Sequence, residues 1–165
     1  MTAIDDALNA NREFARRFSQ SYLSRRPARQ LAVVTCLDAR LHVEEALGLA
    51  NGDANILRNA GAIVTDDVLR SLVFSHQVLG TREIMIVGHT ECGLLRFDAQ
   101  ELGAGLERQF GPAPGPLAFH VFDDLEANIS RQVQKIKSHP WLKSALVRGF
   151  VYDVKTGMLN EVKGG

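Results

Sequence analysis

The chain has no excess of charge of either sign, since nineteen Lys and Arg offset nineteen Asp and Glu. Without a positive field, binding driven broadly by nucleic-acid phosphates loses its main source of energy. Aromatic residues are scarce, at 7%, which leaves little for a stacking platform under single strands. No nucleic-acid partner is expected. No apolar run approaches the length that crosses a bilayer. The first residues, MTAIDDALNANREFARRF, lack the basic start and continuous apolar core of a secretory signal. The expectation is a soluble, cytoplasmic protein with no membrane partner. Only two cysteines occur, Cys36 and Cys92. That is too few for a disulfide scaffold, and in a reducing compartment they read as thiols or metal ligands. Internal repeats, low-complexity tracts and Ser/Gly linkers are also missing, so residues 1–165 are expected to form a single domain. A domain of that length buries enough surface to fold without disulfides.

What is present is an alternation of apolar runs and helical patterns. Leu31 to Cys36 is short, β-branched and apolar on both faces, as a buried parallel strand is. His42 to Leu47 suits a short helix stopped by Gly48, and Ala54 to Arg58 a weaker strand. Thr65 can cap a helix whose first turn carries Asp66 and Asp67 and which Gly80 can end. Glu83 to Val87 reads as a further strand closed by Gly88. This order predicts an α/β fold, a mostly parallel central sheet flanked by helices. Gly111 to Pro116 is a Gly/Pro-rich surface loop. Phe119, Phe122, Leu125, Ile129, Val133 and Ile136 then recur at helical spacing, and His139-Pro140 ends that helix. Phe150–Val154 and Met158–Val162 resemble a C-terminal hairpin or edge strand across Lys155-Thr156-Gly157. Ile4, Leu8, Phe14 and Phe18 make residues 1–25 an amphipathic N-terminal helical arm, suited to its own domain or to a neighbouring subunit.

Both cysteines fall where open α/β sheets bind ligands, outside the carboxyl ends of strands. Cys36 ends the first strand, and His89 and Cys92 follow the third. A cysteine ending an apolar strand is by itself usually a small buried hydrophobe, and a lone His-x-x-Cys is weak evidence. Their combination at two strand ends points to metal. Two thiolates and one imidazole suit zinc, and three protein donors leave a fourth position open, the pattern of a catalytic site. His42, His76, His120 and His139 are rival ligands with plainer structural readings. Asp38 and Arg40 follow Cys36 closely and would point the same way in an extended segment. Asp38 could fill the fourth position, or pair with Arg40 and accept a hydrogen bond from metal-bound water. Arg58-Asn59-Ala60-Gly61 is a small-residue turn that lets a small substrate approach or presents backbone N–H groups.

Cys36-Leu37-Asp38-Ala39-Arg40, Arg58-Asn59-Ala60-Gly61 and His89-Thr90-Glu91-Cys92-Gly93, in this order, resemble the β-class carbonic anhydrases. Thr65-Asp66-Asp67-Val68, Leu79 to Ile84 and Arg148-Gly149-Phe150 extend the resemblance to the short prokaryotic members, along nearly the whole chain. Gly88 stands where some of those members carry a second histidine. The resemblance implies zinc held by Cys36, His89 and Cys92, and an Asp38–Arg40 dyad. It implies a substrate pocket that includes Asn59, Ala60 and Gly61, and a homodimer or homotetramer into which the N-terminal arm crosses. The activity it implies is reversible hydration of carbon dioxide to bicarbonate by zinc-bound hydroxide. Relatives within the family hydrolyse carbonyl sulfide or carbon disulfide with the same residues, and the Cys36–Leu49 stretch also resembles those enzymes. An apolar pocket separates such small linear substrates only weakly. A non-catalytic zinc or thiol redox module is the remoter alternative.

Overall fold

The computed structural model describes residues 1–113, 115 and 117–163. Five strands form one sheet in the order β2-β1-β3-β4-β5: β1 Leu31–Cys36, β2 Ala54–Asn59, β3 Glu83–His89, β4 Leu146–Tyr152 and β5 Leu159–Glu161. The first four are mutually parallel, and β5 returns antiparallel to β4 as the expected hairpin. The chain leaves β1 toward β2 on one side and comes back to β3 on the other. The strand order therefore reverses at β1, and the carboxyl ends of β1 and β3 lie side by side, with Thr35 opposite Val87.

Helices α3 (Asp66–Gln77) and α5 (Leu125–Ser138) both contribute to the larger core, on one face of the sheet. Thr65 caps α3 through its side chain, as the sequence predicts. Strand alternation sends Ala32, Val34, Ile84 and Ile86 into this core, where they meet Leu72, Ile129, Val133 and Ile136. The opposite face is closed by loops and the four-residue α2 (Val43–Ala46), which gather Val33, Leu41, Val43, Val87 and Phe122 around both cysteines. One face is thus packed by long helices, and the other is left to irregular chain that carries function.

Two expectations need correction, and one helix is new. Gly88 does not close β3. The strand runs through it to His89, and the glycine is there because a Cβ would stand 2.6 Å from Ile129 Cδ1. A side chain at this position would require Ile129 to shift. The helix expected from Phe119 starts only at Leu125. Asp124 accepts the Ala127 N–H at 2.8 Å and fixes the start there, while Phe122 pairs with Leu95 in a bridge. A helix with no counterpart in the sequence reading, α4 (Ala99–Phe110), follows an Asp98 cap and buries none of its residues. Of the Gly111–Pro116 loop, Pro114 and Pro116 lie outside the described residues.

The N-terminal helix α1 (Ala3–Arg17) opens with a reciprocal capping box between Thr2 and Asp5 and ends on Arg16 and Arg17, which complement its dipole. None of its residues is buried, and Ile4, Leu8, Phe14 and Phe18 stay exposed.

Ile129 lies over a trough made by Gly88 and Gly149 on adjacent strands, and a Cβ at 149 would come within 2.5 Å of its Cγ2. Gly149→Ala should therefore destabilise the fold by about 1–3 kcal/mol through overpacking, read as a lower urea midpoint at unchanged slope. An unchanged midpoint would contradict this packing.

Candidate metal centre

The last residue of β1 is Cys36 and the last residue of β3 is His89, with Cys92 one turn further on. The two sulfurs and an imidazole nitrogen all lie within 4.8 Å of one another, and all three residues are buried. Among the described residues no other group of three or more His, Cys, Asp or Glu side chains gathers in this way. His89 is fully buried, and its Nδ1 stands 2.8 Å from the Thr90 carbonyl oxygen. A carbonyl only accepts, so Nδ1 carries the proton and Nε2 presents a lone pair. That Nε2 has no hydrogen-bond partner. A buried lone pair facing two sulfurs is costly unless something electropositive meets it, and the donor set fits a metal ion. Hydrogen bonding from Cys92 holds the Cys36 thiol well below its usual range, against the opposing effect of burial, and the Gly61 N–H adds to this. Cys92, as the donor to Cys36, is correspondingly pushed up.

Asp38 and Arg40 do meet, though not through an extended segment. Residues 39 and 40 form a turn in which the Arg40 N–H donates to Asp38 Oδ1 at 2.9 Å. The guanidinium then grips the carboxylate with both edges, Nε to Oδ1 at 3.0 Å and a terminal nitrogen to Oδ2 at 2.9 Å. This bidentate hold keeps Asp38 well below the usual carboxylate range. Its Oδ2 stops 3.8 Å from His89 Nε2, at the edge of the cysteine–histidine cluster.

Sequence reasoning gives no separate role to three residues of this site. Glu91, within the His-x-x-Cys segment, accepts from the far side of Arg40 at 3.2 Å and pairs with Lys155 at 2.8 Å. Its opposite charge to Arg40 was a usable signal, whereas nothing local marked Lys155. Arg58 donates to the carbonyls of Cys36 (2.9 Å), Asp38 (2.6 Å) and Leu41 (3.2 Å), pinning the loop that carries the dyad.

Leu37, Ala60, Gly61, Gly93 and Leu94 join Cys36, Asp38 and Cys92 around an open cleft with largely apolar walls. Of the three residues expected in a substrate pocket, Ala60 and Gly61 line this cleft. Asn59 turns its amide onto the backbone of Ile63 instead. The rival histidines are engaged elsewhere or exposed. His76 is bonded to the Thr81 carbonyl and Ser144, and His139 accepts from the Trp141 N–H. His42 and His120 lie at the surface.

A family model described as carbonic anhydrase matches residues 31–110. The chain is 40% identical over 163 residues to β-carbonic anhydrase 1 of Mycobacterium tuberculosis, covering 98% of this chain and 99% of that one. It is 38% identical over 157 residues to the carbon disulfide hydrolase of Saccharolobus solfataricus, covering 81% and 77%. The solved structure of carbonic anhydrase from Streptococcus mutans superposes with a TM-score of 0.91 at 41% identity, covering 99% of each chain. With relatives at this identity along its full length and the same fold, the chain belongs to the β-carbonic anhydrase family.

Proposed function

We propose that this protein hydrates carbon dioxide reversibly to bicarbonate at a zinc ion held by Cys36, His89 and Cys92. The observation that carries the reading is the double grip of Arg40 on Asp38 beside that trio. It ties up Asp38, the carboxylate at the edge of that three-donor site. Two thiolates and an imidazole form a borderline-soft set suited to zinc, and three protein donors leave a coordination position for chemistry. Zinc, when bound, supplies the Lewis acidity that makes hydroxide available from water near neutral pH.

This chain's own residues do the rest. Asp38, kept ionised by Arg40, is a hydrogen-bond acceptor only, so it orients an attacking O–H through its proton and leaves the oxygen lone pairs for carbon. Arg40 holds Asp38 away from the metal, and Glu91, itself paired with Lys155, holds Arg40 from behind. Leu37, Ala60 and Leu94 offer carbon dioxide an apolar wall, and the open cleft lets bicarbonate leave. Carbonyl sulfide or carbon disulfide hydrolysis is the second reading, favoured by the apolar cleft and by the hydrolase relative. Linear molecules that differ by a sulfur atom fit such a wall almost equally well.

We further propose that the chain is one domain that acts as a homodimer or homotetramer, with the arm of residues 1–25 lying on a second copy. The unburied stripe of Ile4, Leu8, Phe14 and Phe18 supports this. Within the described residues no helix is long and apolar enough to cross a membrane. The two free thiols suit a reducing compartment, which for this chain we take to be the cytoplasm.

Stopped-flow assay at mildly alkaline pH should show fast carbon dioxide hydration that is lost on chelation and regained with zinc. Negligible turnover of zinc-loaded protein would move the assignment to the sulfur substrates. Arg40→Ala should free Asp38 to approach the metal and cut turnover by about 10–100-fold at unchanged zinc content. Full activity in that variant would remove the dyad from the mechanism. Leu8→Asp combined with Phe14→Asp should lower the molar mass seen by light scattering, and an unchanged mass would count against the arm as an interface.

A further inference from the structure

We propose that Asn59 is a positioning residue: it fixes the Gly61 N–H as a hydrogen-bond donor to the Cys36 sulfur and so sets how strongly that sulfur donates to a bound metal. The inference rests on Cys36 being a metal ligand, as proposed above. Asn59 ends β2 directly opposite Cys36 and accepts the Leu37 N–H at its own carbonyl, at 2.9 Å. Its side chain then reaches forward over the next turn. Oδ1 accepts the Ile63 N–H at 2.9 Å, and Nδ2 donates to the Ile63 carbonyl at 2.7 Å. One amide thus engages both backbone polar groups of a single residue and closes a ring around Ala60, Gly61 and Ala62.

The chain inside that ring would not keep its shape unaided. Gly61 has φ +78° and Ala62 has φ +56°, a left-handed conformation that alanine disfavours. The outcome is a backbone N–H 3.3 Å from Cys36 Sγ. Surroundings on two sides fix its position. A Cβ on Gly61 would stand 2.8 Å from Leu94 Cδ1, and past the ring Gln132 accepts the Val64 N–H at 2.9 Å. An N–H donor withdraws electron density from a thiolate, so the sulfur neutralises less of a cation's charge. In a site with two thiolates, that preserves Lewis acidity which a second sulfur would otherwise diminish. Partners of this kind, one shell beyond the ligands, commonly govern affinity and activity.

The test uses the full chain loaded with cobalt(II), as wild type, Asn59→Ala and Asn59→Asp, with absorption spectra, bound metal and circular dichroism recorded together. Asn59→Asp keeps an acceptor for the Ile63 N–H and loses the donor to its carbonyl. The wild type should show a thiolate-to-cobalt charge-transfer band. In Asn59→Ala that band should move to longer wavelength, because a sulfur without its N–H donor gives up charge more easily, and in Asn59→Asp it should fall between. Carbon dioxide turnover of the zinc-loaded variants should fall by about 10–100-fold. A band at the wild-type position in folded, cobalt-loaded variants would overturn the inference and leave the metal site standing. If Asn59→Ala does not fold, Asn59→Asp alone decides by the same criterion. The absence of any thiolate-to-cobalt band in the wild type would overturn the metal site, and this inference with it.

Discussion

Two parallel strands, β1 and β3, end side by side, and the site depends on that adjacency more than on any other contact. Cys36 and His89 are 53 positions apart in sequence, yet each is the last residue of its strand. The ladder that sets Thr35 against Val87 therefore also sets the distance between their side chains. The Thr35 hydroxyl reinforces it, donating to the Val87 carbonyl at 2.9 Å within the core. Because the strand order reverses at β1, no crossover helix covers these ends, and loops can converge there. Packing on the other face supplies the rigidity. Ile129, seated over the Gly88–Gly149 trough, holds α5 close against β4 and β3, the latter ending in His89.

Around that frame the charges are arranged in series, from Asp38 to Arg40, to Glu91 and on to Lys155. Single pairs at such half-exposed positions stabilise a fold only weakly. Their value here is directional. Arg40 has donors on two sides, and each acidic partner limits where its guanidinium can turn. Arg58 adds a second restraint of a different kind, since it binds backbone carbonyls of the same loop and no carboxylate. The loop from Cys36 to Leu41 is thus fixed both through its main chain and through its side chains.

The parts of this protein that announce themselves in sequence are those under a single dominant constraint. Strand β1 is buried along nearly its whole length, so its apolar run gives its limits to the residue. The cysteine–histidine trio stands out because a chain with two cysteines places both beside strand ends. Helix α4 does carry a helical stripe, with Leu102, Leu106 and Phe110 four residues apart, but Gly103 and Gly105 lower its propensity and the stripe buries nothing. Its Asp98 cap with Glu101 three residues on is a second signal. Phe119 and Phe122 continue the helical spacing of α5 by coincidence, although the helix starts at Leu125 and Phe122 belongs to a bridge with Leu95. Asp38 and Arg40 meet through a turn, where their spacing predicts an extended segment. The roles of Arg58 and Lys155 depend on backbone groups or charges far along the chain, and no local pattern encodes them.

Helix α1 buries none of its fifteen residues against its own chain. Helices of about that length are marginal in water even with good caps, and most draw their stability from a surface they pack on. In the assembly proposed above, that surface belongs to another molecule, so ordering the arm becomes a mass-action event. The folded state would then have a thermodynamic boundary that shifts with protein concentration: dilution would fray the first residues while the sheet and its thiol–imidazole cluster stayed formed.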